Sequence, residues 1–175
     1  ATLINENSNF MESIQDVLTL SLLWNQIEKI NKSSSLTDLM KCSTSEILRN
    51  IHHRKYLESL NLPNPKEDSI IELNKKIAFS LFEKDISSIG YSDLYNIIGN
   101  LFPKCDYISL NEIVGYLADS FFDITATNES YAFAYQHRRF SEYFTILSLD
   151  DKIEKDLNYL RTQNIIINFD LFDKM

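Results

Sequence analysis

A chain of 175 residues, 44% of them hydrophobic, is long enough for one ordinary domain or two small ones with a real core. Its formal charge of -8 and pI near 4.9 set up a field that repels phosphate backbones, which counts against general nucleic-acid binding. Three Gly and three Pro are too few for a turn-rich sheet fold, so helices joined by short polar loops are expected.

Cys42 and Cys105 lie far apart and have neither C-x-x-C spacing nor the density of a disulfide scaffold, so a reducing cytoplasm is the simpler setting. The longest strongly apolar run, 17–27, is broken by Thr19, Ser21, Asn25 and Gln26 and is too short to cross a bilayer. No basic segment followed by an apolar one opens the sequence, so no secretory leader is expected. Ala1 in place of Met points to processing or to a piece of a longer protein, and the second is the expectation.

Asn9 can cap a helix, with Glu12 three positions on, and Ile14, Val17, Leu18, Leu22 and Ile27 give that helix an apolar face that Leu23 and Trp24 widen. The polar run 32–35 ends it. Leu36, Leu39 and Met40 predict a short helical segment, and a second is expected from Ser43 or Thr44 through Ile47, Leu48 and Ile51. His52 and His53 are neighbours, about 100° apart on a helix, and cannot easily grip one metal together. They read as a solvated helix end.

Residues 61–68, NLPNPKED, carry two prolines among polar residues and mark a boundary between subdomains. Ser69 then opens a helix with Ile70, Leu73, Ile77, Leu81 and Phe82 on one face. Ser92 opens the next, with Leu94, Ile97, Ile98, Leu101 and Phe102, ended by Pro103. Ser109 and Glu112 form a capping box for a third, carrying Leu110, Ile113, Val114, Leu117 and Phe121.

Residues 121–125 and a strand from Tyr131 flank a polar turn, which predicts a β-hairpin. Three helices followed by a hairpin is the order of a winged-helix unit. Within 131–149, Tyr131, Phe133 and Tyr135 alternate with Ala132 and Ala134 at strand period. From His137 onward Phe140, Tyr143, Phe144 and Leu147 recur at helical spacing. A strand therefore runs almost directly into an amphipathic helix, with a cationic His137, Arg138 and Arg139 at the junction.

Another short helix is expected over 150–163 through Ile153, Leu157 and Leu160. The tail places Ile165, Ile166, Ile167, Phe169, Leu171 and Phe172 near the terminus, where so much apolar surface is hard to bury with nothing following. The fold class expected is therefore mainly α, with a helical subdomain over 1–62, a winged-helix-like unit with one small β-hairpin over 66–149, and a C-terminal helix and tail over 150–175 that begins a further domain.

Chemistry is sparse. Gly90, Gly99 and Gly115 lack the spacing of a phosphate-cradling G-x-x-x-x-G-K-[ST] loop, and no G-x-S-x-G elbow is present. Neither cysteine has a motif that marks a nucleophile. The carboxylate pairs Glu67 with Asp68 and Asp150 with Asp151 are expected at helix starts, where they complement the dipole. The chain alone is not expected to be an enzyme.

The run 133–144, FAYQHRRFSEYF, resembles the F-x-H-x-x-F-x-E-[FY] signature that closes the winged-helix domain of NACHT and related STAND NTPases. His137, Phe140, Glu142 and Tyr143 carry the match, with Phe133 and Tyr135 in the preceding strand. Residues 18–23, LTLSLL, are similar to the helix that follows the ATPase core in that family, and 77–82 to the first winged-helix helix. The resemblance spans most of residues 10–149, although only the His137 motif is specific. It implies that His137, flanked by Arg138 and Arg139, reaches the β-phosphate of ADP held in the core. A protonatable imidazole beside two guanidinium groups suits a diphosphate. Where the family carries an Asn-Pro motif against adenine, this chain has Asp16 and Val17, so no adenine contact is carried over.

The resemblance implies a regulatory, nucleotide-state-sensing arm of a larger microbial defence or signalling NTPase in the cytoplasm. No cofactor belongs to this chain alone, and ADP or ATP with Mg belongs to the parent protein. Its partners would be the ATPase core of the same polypeptide and other protein subunits on activation, with no membrane. A helical protein-interaction module is the alternative. A DNA-binding winged helix is disfavoured, because the stretch SLNEIVGYLADSFF has no Lys or Arg and carries Glu112 and Asp119, with Asp123 directly after it.

Overall fold

The computed structural model of the protein describes residues 36–127 and 130–162. The predicted helix over 9–27, Asp16 and Val17 within it, and the apolar tail lie outside the described residues.

The described chain is mainly helical. Its elements run α1 (Leu36–Arg49), α2 (Ile51–Ser59), α3 (Lys66–Lys84), β1 (Ser88–Gly90), α4 (Tyr91–Leu101), α5 (Tyr107–Ser120), β2 (Phe122–Ala126), β3 (Tyr131–Tyr135) and α6 (Arg138–Thr162). The three strands form one antiparallel sheet in the order β1-β3-β2. From α3 onward this is a winged-helix-like arrangement, with the predicted hairpin as β2 and β3. The sequence reading missed β1, which is three residues long and too short to show alternation.

Several boundaries have local causes. The two helical segments expected over 36–51 are one helix, because Ser43 does not cap. Its hydroxyl donates back to the Leu39 carbonyl, 2.9 Å away, inside the turn. Asn50 then caps α2, its side chain accepting from the His52 N–H at 3.1 Å. Asp106, rather than Ser109, caps α5 by accepting from the Ser109 N–H at 2.8 Å. α3 ends on Asp85 in the left-handed conformation (φ 50°), a short polar side chain being tolerated there, and the Ile86 N–H closes the turn on the Leu81 carbonyl at 3.1 Å. α6 runs unbroken through Leu149 and Asp150, since no Gly or Pro interrupts it, so the two helices expected there are one.

One apolar cluster holds the fold together. Ile70, Leu73, Ile77, Ala78 and Leu81 of α3 meet Leu94 and Ile98 of α4, and Ile113 and Leu117 of α5. The cluster is continuous through Leu57, Leu60, Leu62 and Ile70 across the proline-bearing segment. α3 and α6 pack extensively on each other. The register sets Ile89 and Ile124 on either side of Phe133, and Phe122 opposite Tyr135, whose rings lie 4.2 Å apart. This row closes the sheet on the helices and delivers the chain to the start of α6.

Candidate functional site

The end of β3 and the start of α6 form the junction that the sequence singles out. Phe133 and Tyr135 enter the core from the strand, and Phe140, Tyr143 and Phe144 enter it from the helix. Phe121 receives Phe140 and Phe144 edge-on, with ring centroids 5.7 and 5.8 Å away. The Gln136 N–H donates to the Phe121 carbonyl at 3.0 Å, and the Phe140 N–H to the His137 carbonyl at 3.0 Å. Buried rings on both sides and these two backbone bonds hold a tight turn in which His137 is exposed.

Arg138 and Arg139 follow in the first turn of α6. Arg138 Nε lies 2.8 Å from Glu142 Oε1, and Arg139 donates to Glu142 Oε2 at 2.8 Å. No acidic residue occupies this first turn, so two cations stand at the positive end of the helix dipole. Arginine placed N-terminal to its glutamate is the less favourable order for a helical ion pair. Glu142 contacts both guanidinium groups, and they stand next to an exposed imidazole. Chemically the junction can hold an anion. The signature residues thus divide into buried aromatics that build the turn and polar residues, His137 and Glu142, that stand at its surface.

The other candidate groups stand apart from this junction. His52 is exposed, whereas His53 packs against α5, its ring edge-on to Tyr116 at 6.3 Å. The reading of both as a solvated helix end therefore holds for His52 alone. No group of three or more metal-ligating side chains occurs among the described residues. Cys105 lines an open pocket of about 440 Å³ with Asn61, Leu62 and Phe102 and donates its thiol to the Asn61 carbonyl at 3.0 Å. Burial, and then the Asp106 charge, push that thiol up, so it holds its proton and is a poor nucleophile. Glu67 and Asp68 lie in the first turn of α3 as expected, but Asp151 sits within α6 and pairs with Lys75.

Sequence reasoning missed Lys75, which is 8% exposed yet charged and is held by Glu72 and Asp151. It also missed Asn74, fully buried and joined to Tyr135. Nothing in the helical spacing separates these two polar residues from solvated ones. Their partners come from α6 and β3, far along the chain.

No helix of the described residues is long and apolar enough to cross a membrane. No protein-family model matches the chain, and no curated protein or solved structure matches it either.

Proposed function

We propose that the chain is the regulatory, nucleotide-state-sensing arm of a larger cytoplasmic STAND- or NACHT-type NTPase in microbial defence or signalling, and is non-catalytic by itself. The observation that carries the reading is the exposed imidazole of His137 in a turn built by the buried rings of Phe133, Tyr135, Phe140 and Tyr143. An imidazole presented beside Arg138 and Arg139 suits the terminal phosphate of a nucleoside diphosphate brought by a separate core. Hydrogen bonds from His137 and the arginines would hold the arm against that core in its resting state, and release of the contact would free it. Magnesium ligands would belong to the core.

The DNA-binding reading is weaker on physical grounds. Beyond its first turn, α5 exposes Glu112 and Asp119, so entering a major groove would set carboxylates against phosphates. The interaction-module reading has its own support in the exposed Tyr107, Ile108, Ile124 and Tyr131.

The test joins the arm to its nucleotide-binding core and titrates ADP by calorimetry. A hydrogen bond to a charged phosphate is worth about 1.5–3 kcal/mol, so His137→Ala should weaken ADP roughly ten- to hundredfold. Full affinity in that variant would overturn the reading.

A further inference from the structure

We infer that helix α2 is a latch on α5, able to open while the rest of the fold stays closed. The inference does not depend on the nucleotide reading, because it rests on the seam between these two helices alone.

The seam is held by one fitted contact. The Tyr56 hydroxyl donates to the Glu112 carbonyl at 3.0 Å, and it reaches that carbonyl only because residue 115 is glycine. A Cβ on Gly115 would lie 2.6 Å from the Tyr56 hydroxyl oxygen, closer than two such atoms can approach. The Tyr56 ring also stands edge-on to Tyr116, with centroids 5.5 Å apart.

Around that contact the seam is poorly satisfied. The Tyr116 hydroxyl is buried with no well-formed hydrogen bond, although Ser120 is close enough to act on it. His53 Nδ1 is buried too, and although it lies 3.4 Å from Asp119 Oδ2 it is not aligned for a hydrogen bond. Buried polar atoms left unpaired penalise the closed state and regain water when the seam opens.

Besides α5, α2 packs on α1 and α3, but its own buried surface is small. Of its described side chains only Leu57 is buried, whereas α3 buries seven residues. Lys66 at the head of α3 donates to the Glu58 and Leu60 carbonyls, both at 2.6 Å, which ties down the C-terminal end of α2. The tied end serves as a pivot. A short helix with one of its described side chains buried, one fitted hydrogen bond to α5 and a fixed pivot is the segment that opens first. Opening uncovers Tyr116, beside the already exposed Glu112 and Asp119 of α5.

Native-state hydrogen exchange on the chain, at rising urea concentrations below the unfolding transition, tests this. The amides of α2 should exchange through an opening with a weaker urea dependence than those of α3. Gly115→Ala should speed α2 exchange about tenfold, by displacing Tyr56 from the Glu112 carbonyl. Tyr116→Phe should slow it several-fold, because the unpaired hydroxyl is gone. The latch is overturned if α2 and α3 amides in the unaltered chain share one urea dependence, or if Tyr116→Phe leaves α2 exchange unchanged or faster. The unaltered chain and Tyr116→Phe decide the matter even if Gly115→Ala does not fold.

Discussion

The Tyr135 hydroxyl donates into Asn74, lying 3.0 Å from its backbone carbonyl and 3.1 Å from its side-chain oxygen, in a part of the core where both residues are buried. Asn74 is held in place by donating its own amide to the Ile70 carbonyl at 3.0 Å. The bond fixes the end of β3 against α3 just before the chain turns into α6. Tyr135→Phe keeps the ring and leaves the Asn74 oxygen buried without its donor. It should lower stability by about 1–3 kcal/mol, read from the urea midpoint at unchanged slope.

Phe121 is the centre of the ring cluster that shapes the candidate site. It is fully buried, with Phe140 and Phe144 edge-on to it. Phe121→Ala removes a large side chain from a packed interior and should cost about 3–5 kcal/mol, a large share of a typical domain's stability. Chemical denaturation checks the figure, and a loss under about 1 kcal/mol would contradict the packing described.

The pH dependence should have a marked alkaline limb. Burial pushes the Tyr116 phenol up to about 12, with the Glu67 charge adding to it, and burial raises Tyr135 and Tyr143 as well. At Lys75 burial works against the charge, but hydrogen bonds to Asp151 and Glu72 together outweigh it and lift its pKa above the ordinary value. A group with a raised folded pKa contributes stability that is fully present below its unfolded pKa and is lost as pH rises through the folded one. Tyrosine and lysine titrate near 10 when unfolded, so stability should hold up to about pH 9.5 and then fall steeply towards pH 12. Denaturation midpoints across that range check the sign.

Glu142 opposes the site that the two arginines create. Glu142→Gln removes the carboxylate that Arg138 and Arg139 both contact. Such partly exposed pairs contribute little, so stability should move by no more than about 0.5–1 kcal/mol. Binding of inorganic pyrophosphate to the chain should tighten in Glu142→Gln and weaken with added salt, as calorimetry at two ionic strengths would show.

Much of this fold is legible in the sequence wherever a single helical face is buried. The spacing of Ile70, Leu73, Ile77 and Leu81 places α3, and that of Leu94 and Ile98 places α4. The alternation from Tyr131 to Tyr135 gives β3 its span. What escapes depends on partners distant in sequence. β1 is a strand only because Ile89 meets Phe133, and Lys75 tolerates burial only because Asp151 arrives from α6. Capping is ambiguous for a different reason: Asp106 and Ser109 are both acceptable caps three residues apart, and the one nearer the start of the helix wins. At the candidate site the cationic junction and its change of backbone period are readable, but the sharing of the Glu142 carboxylate by both arginines is a fact of geometry.

The most direct test of the central claim is to follow the His137 ring by NMR while inorganic pyrophosphate is titrated into the chain. The account predicts a saturable, salt-sensitive shift of the His137 ring resonances and of the backbone amides of residues 138–140, lost in His137→Ala. A His137 ring that stays unmoved while pyrophosphate shifts other residues, or none, would contradict it.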